Sequence, residues 1–199
     1  MTLANRISIL RLCLIPVFVV LAASYGQSVS AGQPVEWQRI AAISVFIFAG
    51  ISDAVDGYIA RNFNQRSRLG SIIDPLADKG LMLAAIITLS ATGWSAIHRF
   101  PLWFPILVIA RDVLSSIGAW MIHHRHGRVR VKPHWTGKVT NVAQIVAIGW
   151  IGFQLEWLPP VVPTAVAAFF TVVSGMMHLY DGAVQYIHGP HPEKVDSLE

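Results

Sequence analysis

Polar and apolar residues in this chain segregate into long blocks and do not alternate at short periods. Apolar runs fall near residues 7–25, 38–60, 71–92, 101–123, 139–155 and 160–187. Each approaches the ~20 residues with which a helix crosses a bilayer, the fifth being the shortest. The pattern predicts an all-α integral membrane protein, a bundle of six transmembrane helices. Two polar connections stand out, one from Gly26 to Trp37, rich in Gly, Ser and Gln, and one around Gly93–Pro101. Trp37, Trp94, Trp103 and Trp157 fall near the predicted span ends, where aromatic side chains anchor helices at the interface. No internal repeat divides the chain, so a single transmembrane domain is expected over residues 1–188. The stretch 189–199, with two prolines and mixed charges, reads as a flexible cytoplasmic tail.

Charge orients this bundle. Six spans place both termini on one side. Of 15 Lys and Arg residues, 11 lie on that side: Arg6 and Arg11, Arg61, Arg66 and Arg68, Arg125, Arg128, Arg130, Lys132 and Lys138, and Lys194. Positive charge accumulates on the cytoplasmic side, so both termini are expected there, in a cytoplasmic (inner) membrane. The composition agrees with that reading, being 54% hydrophobic and only 13% charged. A pI near 9.6 would otherwise suggest nucleic acid, but the basic residues sit in short segments between apolar runs, and no nucleic-acid partner is expected. The single cysteine, Cys13, excludes an internal disulfide framework. The first apolar run has no convincing small-residue cleavage site and reads as a retained helix.

Candidate chemistry concentrates between Asp53 and Asp78. Asp53, Asp56, Gly57 and Ala60 are spaced i, i+3, i+4, i+7 and share one face of a predicted helix. Asp74 and Asp78, spaced i, i+4, share a face of the next. An Asp near the centre of a membrane helix costs roughly 2.5–3.5 kcal/mol, so four unpaired ones would cost about 10 kcal/mol. Crowding four like charges also pushes some carboxyl pKa values up. Divalent cations relieve both penalties, and hard oxygen ligands suit Mg²⁺ or Mn²⁺. The residues alone leave a proton or ion pathway open as the rival reading, although a transporter should also offer a path across the bilayer and often shows inverted repeats.

The block Asp53-x2-Asp56-Gly57-x2-Ala60-Arg61-x8-Gly70-x3-Asp74-x3-Asp78 resembles the signature of the CDP-alcohol phosphatidyltransferase family, with every fixed position filled. The similarity extends to Asn5-x2-Ser8-x2-Arg11 and to Gly137-Lys138-Val-Thr140. The resemblance implies an integral-membrane enzyme that moves a phosphatidyl group from CDP-diacylglycerol to an alcohol and releases CMP. It implies two divalent cations, with Asp53, Asp56 and Asp74 as ligands and Asp78 as ligand and general base. It further implies donor contacts from Asn5, Ser8, Gly57, Arg61, Ser67 and Gly70, and a homodimer.

Several of these positions also have plainer readings. Gly57 costs about 1 kcal/mol relative to Ala in a helix, which either close approach of the cytidine or a small-residue helix contact would explain. Asn5 and Arg11 would serve equally as a helix cap and a topogenic charge. Arg111 and Asp112 fall within the fourth span, where pairing with each other or with the site is expected. Arg111 with Lys138 favours an anionic acceptor such as glycerol 3-phosphate, with phosphatidylglycerol as the alternative acceptor within the same chemistry. His123, His124 and His126 lie among Arg and Lys, which argues for a basic segment near anionic lipid and against a metal site.

Overall fold

The computed structural model describes residues 3–62, 70–95, 98–126 and 135–188. These form six α-helices: α1 (Leu3–Ser30), α2 (Glu36–Asn62), α3 (Gly70–Ala91), α4 (Trp103–His126), α5 (Trp135–Gly152) and α6 (Val161–His188). Each coincides with one apolar run. The stretches Ile9–Ser30 and Val161–Gln185 are long and apolar enough to cross a membrane. The tail 189–199 and Ser67 lie outside the described residues.

The first connection is shorter than its composition predicts. Gly26, Ser28 and Ser30 belong to α1, because the helix absorbs their polar groups. Ser28 Oγ donates to Tyr25 O at 2.7 Å and Ser30 Oγ to Gly26 O at 2.9 Å, the local hydroxyl-to-carbonyl bonding that lets serine stay helical. Gly32, at φ 74°, ends the helix in the left-handed conformation that glycine adopts without strain. Gly26 is buried for a different reason. A Cβ there would stand 2.6 Å from Thr92 Cβ, so only glycine lets α1 approach the end of α3 this closely.

The helices form two groups of three. α1 packs along α2 and α3, and α6 packs along α4 and α5. Where the groups meet, α3 touches α4 and α5, and α2 touches α5. One continuous apolar core runs through both, from Phe18 and Ile86 to Phe104, Ile148 and Ala167. Ala22, Ala42, Ala85, Ala147 and Ala167 are fully buried in it, and such small side chains let helix backbones come close enough for dense dispersion contact.

Trp94 corrects a second expectation. It is 1% exposed and is a core residue, not an interfacial anchor. Gly93, at φ 54°, turns the chain back after α3. The indole then lies edge-on to Tyr25, with Nε1 donating to Ala22 O at 3.0 Å. Trp37, Trp103 and Trp157 are exposed. Gln154 completes this end of the bundle. Its backbone sits at φ 52° just past α5, a conformation costing a non-glycine residue of order 1 kcal/mol. From there Nε2 donates to Tyr25 Oη and Trp94 O, both at 3.2 Å. Tyr25 Oη in turn donates to Glu36 Oε1 at 3.1 Å, and Glu36 pairs with Arg39 at 2.8 Å.

Candidate functional site

The aspartate block occupies regular helix on both sides of its connection. Asp53, Asp56, Gly57, Ala60 and Arg61 fall in the last turns of α2, and Gly70, Asp74 and Asp78 in the first turns of α3. Helical backbone is therefore continuous through both halves of the motif, and the i, i+3, i+4 spacing keeps its meaning there. The side chains of these residues, and those of Asn5 and Ser8, lie outside the described set. Among the residues whose side chains are described, no three His, Cys, Asp or Glu cluster as a metal site would require. α1 packs against both α2 and α3, and on it Arg11 is buried at 1% exposure and engaged with other groups.

One helical step beyond Asp78, a second polar centre is fully described. Lys79 Nζ lies 3.5 Å from Asp112 Oδ1, joining α3 to α4. Arg111 Nη1 donates to the same Asp112 oxygen at 2.8 Å. The expected pairing of Arg111 with Asp112 is thus present, and Lys79 joins it. Arg111 Nη2 donates to Ser174 Oγ at 2.7 Å, reaching α6. Partial burial of Arg111 and Asp112 and full burial of Ser174 strengthen these charge-assisted bonds. Lys79, half exposed, contributes less, because water screens it. Among the described side chains, two cations face one carboxylate here.

α5 closes the centre from the side. Gly137 is the point of contact: a Cβ there would lie 3.9 Å from Arg111 Nη2, 3.9 Å from Ser174 Oγ and 4.0 Å from His178 Nε2. Lys138, one position on, is exposed and makes no ion pair among the described residues. Of the two residues expected to bind the acceptor, Arg111 is therefore built into the centre, and Lys138 is exposed on α5. Further along the same seam, Thr140 Oγ1 shares its proton between Thr136 O at 2.8 Å and Phe170 O at 2.9 Å. Gln144 Nε2 donates to Thr171 Oγ1 at 3.1 Å.

Sequence reasoning passed over Ser174 and His178. The signal was present as Thr164, Thr171, Ser174 and His178 recurring on one face of the last apolar run. What the run does not disclose is that this face meets Arg111, 63 residues earlier.

Comparison with known proteins bears on the whole chain. The family profile described as CDP-alcohol phosphatidyltransferase matches residues 1–180. A relative named "Probable phosphatidylglycerophosphate synthase", from Mycobacterium tuberculosis (strain CDC 1551 / Oshkosh), is 33% identical over 177 residues, 87% of this chain and 78% of its own. A CDP-diacylglycerol–glycerol-3-phosphate 3-phosphatidyltransferase of Escherichia coli (strain K12) is 31% identical over 196 residues, 96% of this chain and 95% of its own. A relative of that same name in Shigella flexneri serotype 5b (strain 8401) is 29% identical over 194 residues, with the same coverage.

Proposed function

Because the chain belongs to the CDP-alcohol phosphatidyltransferase family, we propose that it transfers the phosphatidyl group of CDP-diacylglycerol to glycerol 3-phosphate, yielding phosphatidylglycerol phosphate and CMP. The observation that carries this is the complete eight-residue block on α2 and α3, in a chain that aligns almost end to end with enzymes named for that reaction. The protein works in the membrane as six spans, with both termini and the aspartate block on the cytoplasmic side, where nucleotide-linked and phosphorylated substrates are dissolved.

The residues divide the work. Asp53, Asp56, Asp74 and Asp78 supply an all-oxygen, strongly anionic donor set on two consecutive helices, which suits two hard divalent ions, Mg²⁺ or Mn²⁺. Such ions supply charge neutralisation for the diphosphate when bound. Arg61 presents a planar fork to the same diphosphate, while Gly57 and Gly70 leave room for the nucleotide to approach backbone. Asn5, Ser8 and Ser67 complete the donor's polar contacts. Arg111 and Lys138 hold the acceptor's phosphate. The acceptor hydroxyl oxygen then attacks the phosphorus that carries diacylglycerol. Asp78 takes the hydroxyl proton as that P–O bond forms, and the bond to the bridging oxygen breaks to release CMP. A carboxylate is a weak base towards an alcohol, so Asp78 acts chiefly through its position.

Purified protein given labelled CDP-diacylglycerol and each acceptor in turn tests the reading. The expected result is release of CMP and appearance of phosphatidylglycerol phosphate with glycerol 3-phosphate. Release with phosphatidylglycerol and none with glycerol 3-phosphate would overturn it.

A further inference from the structure

Among the described residues, Arg11 is the only Lys, Arg, Asp or Glu that is completely buried. An arginine present only to orient the helix would reach along it to water, and this one does not. A guanidinium taken out of water needs an anion beside it, and Arg11 is engaged with other groups. The helices narrow the choice of anion. Among the described residues, α1 touches α2 and α3 and no other helix. α1 itself has no acidic residue, α2 has Glu36, Asp53 and Asp56, and α3 has Asp74 and Asp78. The segments joining these helices, 31–35 and 63–69, have none. Glu36 lies at the opposite end of the bundle, against Tyr25 and Arg39. The four aspartates of the block remain.

Helix register places Arg11 at their level. α1 and α2 run antiparallel: Phe18 meets Phe46, with ring centroids 5.8 Å apart, and Tyr25 meets Glu36. Seven residues back from Phe18 is Arg11, and seven on from Phe46 is Asp53. α1 and α3 run parallel: Gly26 lies against Thr92, and Gly80 against Ile15. Four residues back from Ile15 is Arg11, and four back from Gly80 is Leu76, between Asp74 and Asp78. A long helical side chain leans towards the N-terminus of its own helix, which in this pair is the Asp74 end.

We propose that Arg11 is a positioning residue of the aspartate block, its guanidinium joining Asp53 of α2 to Asp74 of α3 and leaving Asp78 to the acceptor hydroxyl. The inference rests on the reading of the block as the reactive centre and adds the residue that holds it in shape. Four carboxylates on two helices repel one another. α1 packs along both helices and carries a permanent counter-charge into their midst, present before any cation arrives. A guanidinium suits the task because its planar fork fixes carboxylate geometry, which the point charge of a lysine does not.

Arg11→Met, Asp74→Asn and the double variant, each purified as the full chain, provide the test, read first as unfolding temperature in EDTA. Arg11→Met should lower it by about 5–15 °C, the effect of stranding the partner of a buried charge. Asp74→Asn should lower it as well, and the double variant should lose clearly less than the two single losses together. Arg11→Met combined with Asp78→Asn should be additive. Saturating Mn²⁺ should return most of the loss in Arg11→Met, because bound cations neutralise the same carboxylates, whereas a role in packing or topology alone would leave the loss as it was. In turnover, Arg11→Met should lower kcat about 10- to 100-fold with both KM values little changed. Should Arg11→Met fail to fold, Arg11→Lys decides in its place: it keeps the charge, and its unfolding temperature in EDTA should fall and be restored by Mn²⁺. Additive losses with Asp74→Asn, or coupling to Asp78→Asn in its stead, would overturn the proposal. So would an unchanged unfolding temperature joined to a raised KM for CDP-diacylglycerol, which would make Arg11 a donor contact. If wild type transfers to no acceptor while Arg11 and Asp74 stay coupled, the functional reading fails and the positioning role stands.

Discussion

Two polar centres are built into this apolar bundle, and they are put together differently. At the Trp94 end, side chains from α1, α2 and the segments after α3 and α5 are spent on one another. Tyr25 Oη both accepts and donates, the indole N–H is taken by Ala22 O, and the Gln154 amide is bound by two acceptors. At the Arg111 centre, Arg111 ties α4 to α6 and a half-exposed Lys79 reaches Asp112 from α3, while Arg111 Nε and the Ser174 proton meet no acceptor among the described residues. The first arrangement holds helices together. The second holds them together and still has donors to offer, which is what a binding site requires. Burial alone does not distinguish the two; the kind of group left over does, a neutral ring nitrogen of His98 beside Trp94 and a guanidinium N–H of Arg111 in the other centre.

The largest expected effect lies just outside the Arg111 centre. Asp78→Asn should lower transfer by at least about two orders of magnitude, measured as CMP release, without loss of insertion or of thermal stability; retained turnover would remove Asp78 as base. At the Trp94 end the effect should be on folding. Trp94→Ala should cost about 3–5 kcal/mol by analogy with large aromatic deletions, read as a lower unfolding temperature in detergent, with both KM values unchanged in whatever protein stays folded. A selective rise in the KM for glycerol 3-phosphate would erase the contrast between the centres. Gly26→Ala should destabilise by roughly 1–3 kcal/mol, since the new Cβ overlaps Thr92, and unfolding of the variant beside wild type measures this. Smallest of all is Lys79→Met. Its half-exposed contact with Asp112 should be worth under about 1 kcal/mol, so stability should barely move, and a collapse on removing it would assign Lys79 a role in the core.

Much of this was legible in the residues. The six apolar runs mark the six helices because length and apolarity are local properties, and the aspartate block is contiguous enough to carry its own signature. Two kinds of feature stayed hidden. Composition misplaces the end of α1, because Ser28 and Ser30 count as loop formers until their hydroxyls are seen bonding back to their own helix. Trp94 misleads because a tryptophan at a span end reads the same whether it faces outward or folds inward; only the turn at Gly93 decides. The Arg111 centre combines both difficulties. Arg111 and Asp112 attract notice as charges in an apolar run, whereas Ser174 looks unremarkable until α6 is laid beside α4.

The length of α2 works as a depth gauge. Trp37, exposed at its first turn, suits the boundary where hydrocarbon gives way to headgroups. Twenty residues further along, at 1.5 Å each, a helix has climbed about 30 Å, the full thickness of the oily layer, and has arrived at Gly57. A lipid floating in the opposite leaflet carries its diphosphate at that same altitude. On the proposed reading, with α2 as a span and the aspartates as the donor site, the substrate reacts without being lifted from its bilayer, drifting sideways until its phosphates draw level with those carboxylates.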